Sequence, residues 1–107
     1  MAWTVMLKEP VIDHLRWFGR KNSRLLLKGA LDRLKQDPLA ETRNMKTLRA
    51  NPFAQRELRL FGNYRVLFNV DPEEELVTIV LVGEKRGESL IVLGEEFTEH
   101  HESNSAE

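Results

Sequence analysis

The residues with the most chemical potential in this chain are basic: Arg43, Lys46 and Arg49, then Arg59 and Arg65, then Lys85-Arg86. A guanidinium fork matches two phosphate oxygens at once, and a lysine adds a point charge, so a cluster of these suits a nucleic-acid backbone. Whether they cluster depends on strand parity, because a strand sends alternate side chains to opposite faces. Leu58 and Leu60 alternate with Gln55, Glu57 and Arg59, and Val66 and Phe68 alternate with Arg65. If the leucines, the valine and the phenylalanine face a core, Arg59 and Arg65 share the other face of one hairpin. The basic loop before it and Lys85-Arg86 after it then surround a concave basic patch. The plainer alternative is a solvated polar sheet face, with Arg59 paired to Glu57 or Glu75.

The elements that must position these residues follow from periodicity. Trp3, Val5 and Leu7 alternate with Thr4, Met6 and Lys8 and predict a strand over residues 3–8. Pro10 suits the first turn of a helix, and Val11, His14, Leu15 and Phe18 fall at helical spacing up to a stop at Gly19. Asn22 or Ser23 can cap a second helix, whose face is Leu27, Ala30, Leu31 and Leu34 and which ends before Pro38. Residues 39–52 show no period and are read as a basic loop. Strands are predicted over 56–60, 64–70 and 76–82, joined by Gly62-Asn63 and by residues 71–75. The third is apolar on both faces, as a central strand is. Residues 83–89 read as a charged loop and 90–93 as a short edge strand. The fold class is therefore α+β: an N-terminal strand and a two-helix hairpin packed on an antiparallel β-meander.

With 107 residues, one core is the limit. The domain is placed at residues 1–93, and residues 94–107, with five glutamates and no Lys or Arg, at an acidic tail expected to be disordered. The net charge of -1 hides an asymmetry. Residues 1–50 hold 11 Lys/Arg against 5 Asp/Glu, and residues 51–107 hold 5 against 12. The absence of cysteine excludes thiol catalysis, thiolate metal sites and a disulfide framework, and fits a cytoplasmic protein. No apolar run is long enough for a membrane helix, and no secretory signal is recognisable. His14 lies beside the apolar stripe and reads as structural. His100, His101 and Glu102 sit in the acidic tail, where adjacent residues lack the preorganisation that a metal or proton-transfer site needs.

The order of elements and the text Leu48-Arg49, Glu57-Leu58-Arg59, Gly62-Asn63-Tyr64-Arg65-Val66-Leu67-Phe68 and Val82-Gly83-Glu84-Lys85-Arg86 resemble the RelE/ParE superfamily of toxin–antitoxin proteins. The Gly-x-Tyr-Arg-Val-x-Phe segment is the strongest element, and the resemblance extends from Trp3 to about Arg86. It implies a cytoplasmic toxin neutralised by a cognate antitoxin. In the RelE branch it implies a ribosome-dependent mRNA endonuclease that needs no metal or other cofactor and uses basic side chains to hold the scissile phosphate. On that resemblance Arg65, Arg59 and Arg86 are the catalytic candidates, and Arg49, Lys46 and Lys85 the RNA phosphate-binding ones. Two departures stand out. Gln55 and Glu57 occupy positions where the nuclease branch keeps lysines, and residues 89–92 offer no Tyr or His where that branch has its late aromatic. Glu57 could serve as a base instead. Two other activities therefore stay open: a non-enzymatic toxin that binds DNA gyrase, as in the ParE branch, and an inactive antitoxin-binding member.

Overall fold

In the computed structural model, residues 3–97 are described. The elements are β1 (Thr4–Leu7), α1 (Glu9–Trp17), α2 (Gly19–Gln36), β2 (Met45–Thr47), β3 (Arg56–Leu60), β4 (Tyr64–Asp71), β5 (Leu76–Arg86), β6 (Ser89–Val92) and β7 (Glu95–Phe97). The α+β architecture is as expected: two helices lie on one face of a sheet whose antiparallel path runs β2-β3-β4-β5-β6-β7. β1 lies off this path and pairs in parallel with the first half of β5, Val5 opposite Val77 and Leu7 opposite Ile79.

The helices are separated by a single backbone irregularity. Gly19 has φ +89°, open to glycine at no steric cost, and the chain starts α2 there. The second helix thus begins before Asn22 and Ser23, and neither side chain caps it; Ser23 Oγ donates back to Arg20 O. Val11 and Leu15 from α1 and Leu26, Ala30 and Leu34 from α2 pack on Leu58, Val66, Phe68, Val77, Ile79 and Val82 of the sheet. Each large side chain in this core is worth about 1.5–3 kcal/mol. His14 is buried with them, and its Nδ1 accepts the Val82 N–H at 3.2 Å. That amide lies on the edge of β5 between the residues paired to β1 and those paired to β6, so the imidazole completes a gap in the ladder.

Several strand boundaries differ from expectation. Within the stretch read as a loop, Met45–Thr47 form β2 against β3. β5 continues through Gly83 to Arg86 where a charged loop was expected. β6 is not an edge, because Glu95–Phe97 pair with it; the first residues assigned to the tail thus belong to the sheet. Residues 98–107, with His100, His101 and Glu102, lie outside the described residues.

The helix-free face also differs from an open polar surface. The β4–β5 register jumps from Leu67–Leu81 to Phe68–Ile79, leaving Val80 as an extra residue on β5. Ala54, Leu67 and Leu81 form a second buried cluster there, covered by Leu48, Phe53, Leu90, Val92 and Phe97. The rings of Phe53 and Phe97 meet edge to face at 5.0 Å. β6 can cross onto this face because position 83 is glycine: a Cβ there would lie 2.7 Å from the Ile91 carbonyl oxygen. The β6–β7 turn has φ +55° at Leu93 and +80° at Gly94 and rests on the indole of Trp17.

Candidate functional site: a basic row on the helix-free face

Register sets which side chains share this face. Arg59 of β3 stands opposite Arg65 of β4, which stands opposite Gly83 of β5. One step along, Glu57 stands opposite Leu67 and, across the other edge of β3, opposite Lys46 of β2. The turn that brings Arg59 and Arg65 together is Phe61-Gly62-Asn63, with positive φ at Phe61 and Gly62 rather than at the Gly-Asn pair read from sequence.

Two arginines directly opposite each other across strands repel. Glu57 offsets that repulsion. Its Oε1 lies 3.7 Å from Arg59 Nε, and the two side chains are 16% and 37% exposed. Arg65 is only 9% exposed, and its Nη1 donates to the carbonyls of Gly62 at 2.8 Å and Tyr64 at 3.1 Å. Burial pushes its guanidinium below the usual arginine range; the Glu57 carboxylate opposes that shift and Arg59 adds to it. An arginine so placed remains a cation at neutral pH. Among the described residues, buried Arg59 Nε has no hydrogen-bond partner, and a donor in that position gains from an incoming acceptor. The row therefore has two guanidinium groups, one carboxylate beside them and a lysine on the adjoining strand. That set suits an anion carrying several oxygens, a phosphodiester in particular.

The remaining candidates divide. Lys85 shares the face of Gly83 and Arg65 by strand alternation. Arg86 does not: it lies on the opposite side with Glu84, to which its Nη2 bonds at 3.1 Å. Exposed Arg49 follows the β2 segment, and its carbonyl accepts a hydrogen bond from Asn51 Nδ2 at 2.7 Å. The structure thus gathers Arg59, Arg65, Glu57 and Lys46 on one face and leaves Arg86 outside the group.

Arg56, which the sequence reading did not single out, is 4% exposed. Its guanidinium donates to Pro38 O at 2.7 Å, Ala40 O at 2.6 Å and Glu41 Oε2 at 2.9 Å. It ties the segment after α2 to β3, and so holds β2 and Lys46 in place. The signal was its parity: an arginine in step with Leu58 and Leu60 points into the core, where it must find carbonyls.

No family model matches the sequence, and no curated protein matches it. Solved structures do. A chain of the RelBE2 toxin–antitoxin complex from Mycobacterium tuberculosis aligns with TM-score 0.68 and 25% identity, over 79% of this chain and 93% of that one. The isolated RelE toxin of E. coli aligns with TM-score 0.60 and 22% identity, over 98% of this chain and 97% of that one. Two helices with an antiparallel multi-strand sheet are the architecture this chain shares with those structures. By fold, the chain is similar to these RelE-type toxin structures.

Proposed function

We propose that this protein is the toxin of a toxin–antitoxin pair, acting in the cytoplasm as a metal-independent mRNA endonuclease on the ribosome. The observation that carries the RNA reading is the facing of Arg59 and Arg65 across β3 and β4 with Glu57 beside them. The antitoxin partner is supported by the likeness to a chain of a toxin–antitoxin complex.

In the proposed reaction Arg59 and Arg65 hold the non-bridging oxygens of the scissile phosphate. Glu57 takes the proton of the neighbouring 2′-hydroxyl as that oxygen bonds to phosphorus. The bond from phosphorus to the 5′ oxygen breaks, the leaving oxygen takes a proton from water, and the hydroxide so formed takes the proton that Glu57 had accepted, restoring the carboxylate. The products are a 2′,3′-cyclic phosphate and a 5′-hydroxyl. Lys46 and Lys85 add positive potential along the strand, and Arg49 extends it. Arg86, tied to Glu84, has no part in this scheme.

Induced expression should arrest growth and produce cuts in translated mRNA with cyclic-phosphate ends. Glu57→Gln and Arg59→Gln, checked for folding by circular dichroism, should abolish the cuts. Arg65→Ala should do the same if the variant folds. Cleavage unchanged in Glu57→Gln would remove the base. Intact mRNA together with inhibition of purified gyrase supercoiling would refute the nuclease and support the gyrase-binding alternative.

A further inference from the structure

A second site lies on the same face, beyond the basic row. At the start of β3 a cavity of about 530 Å³ is walled by Phe53, Gln55, Asn69, Asp71 and Thr78, a size ordinary for a small-ligand site. Among its lining residues there is no Lys or Arg, and one is a carboxylate, so it is unsuited to phosphate. An aromatic wall with amide and hydroxyl groups suits a neutral planar heterocycle.

The amides are already oriented. Gln55 N–H donates to Asn69 Oδ1 at 2.7 Å, and Val70 N–H donates to Gln55 Oε1 at 2.8 Å. Both carbonyl oxygens are thus engaged by backbone, and among the described residues neither side-chain NH2 group has a protein acceptor. The two groups are donors held side by side across β3 and β4. Phe53 is positioned by Asn51, whose Oδ1 accepts the Phe53 and Ala54 N–H groups at 2.8 and 3.0 Å. The same Asn51 bonds the carbonyl of Arg49. From Gln55 to Arg59 is four residues of extended chain, about 13 Å, which a single strand of RNA crosses in a few nucleotides. Lys46 and Arg49 lie along that route.

We infer that this cavity is a nucleobase subsite that sets sequence preference, taking a base edge with two adjacent acceptors, and so guanine over adenine. It rests on the RNA reading of the basic row. Guanine presents N7 and O6 to the two NH2 groups. Adenine presents its own amino group at the second position, donor against donor, and loses about tenfold or more.

The test is a titration of the full-length protein with guanosine and, separately, adenosine, followed by the side-chain NH2 resonances of Gln55 and Asn69 in 15N-correlated NMR spectra. Guanosine at millimolar concentration should move both pairs and the Phe53 amide, with adenosine at least tenfold weaker. Gln55→Glu and Asn69→Asp keep the oxygen that accepts a backbone N–H and remove the NH2 donor; each should weaken guanosine by tenfold or more. Equal affinity for the two nucleosides, or no movement of those resonances in the wild-type chain, overturns the subsite. Guanosine carries no phosphate, so its binding is independent of Arg59 and Arg65. A chain that cuts RNA and ignores guanosine loses the subsite alone; one that binds guanosine and leaves RNA intact loses the nuclease alone.

Discussion

Replacing Arg56 by methionine should cost this protein a large share of its stability. Methionine keeps most of the volume and removes three hydrogen bonds. The Pro38 carbonyl belongs to a residue under 2% exposed, so leaving it unpaired costs about 1–3 kcal/mol. The Ala40 carbonyl is partly solvated and adds roughly 1 kcal/mol. Glu41 is 63% exposed on its side chain and regains water, so its ion pair adds about 0–1 kcal/mol. Against these stands the relief of a buried charge whose Nε has no partner among the described residues. The net is a loss of about 2–4 kcal/mol, from a total of about 5–15 kcal/mol for a domain of this kind. With a urea slope of about 1–3 kcal/mol/M, the midpoint should fall by roughly 1–2 M. Equilibrium urea unfolding followed by tryptophan fluorescence and circular dichroism measures it. Arg56→Lys should lie in between, since one ammonium cannot bridge the two carbonyls and the carboxylate in the same geometry. A loss below about 1 kcal/mol in the methionine variant would refute the clamp.

Three further outcomes follow from the packing and the protonation of the fold. Gly83→Ala should destabilise by about 1–3 kcal/mol, because the new Cβ meets the Ile91 carbonyl at 2.7 Å and β6 must move; hydrogen exchange should rise first in residues 89–97. Gly29→Ala should stabilise by about 0.5–1 kcal/mol, since its Cβ meets Leu60 and Phe61 at an ordinary 3.5 Å within α2 and the helix gains a better former; a thermal melt that falls would contradict this. Burial lowers the pKa of His14, with Asp13 opposing the shift, and the neutral ring accepts the Val82 N–H. The unfolded chain therefore binds the proton more readily, and this contribution to stability is present above about pH 6.5 and lost as pH falls through the lowered value. His14→Asn, which keeps an acceptor and does not titrate, should flatten the urea midpoint between pH 7 and pH 5.

How much of this was legible in the chain depends on how far local pattern decides structure. The β3–β4 hairpin was readable from its alternation, but a two-residue Gly62-Asn63 turn would have paired Leu60 with Arg65; the three-residue turn Phe61-Gly62-Asn63 sets the register that places Arg59 opposite Arg65. β2 was not, since three residues of a polar stretch become a strand only through pairing with β3. The bulge at Val80 was invisible inside a run that is apolar on both faces, and with it the second hydrophobic cluster. The resemblance made Arg86 a catalytic candidate and Lys85 a phosphate-binding one; strand parity keeps Lys85 on the face of Arg65 and takes Arg86 off it once β5 is known to run on to Arg86. Gln55, read first as a missing lysine, acquires its role from Asn69 across the sheet, a contact between residues 14 apart in sequence.

The parallel pairing of β1 with β5 also bears on how the molecule comes into being. Thr4 meets Leu76, so the first strand made waits for almost the last one to complete the sheet. His14 waits in the same way for Val82. Such distant contacts slow folding, and on the ribosome they postpone it until most of the chain has emerged. A nascent copy would therefore have its basic residues in place along the chain well before they form a row, and translation cut short before β5 would release a fragment lacking the strand on which both ends converge.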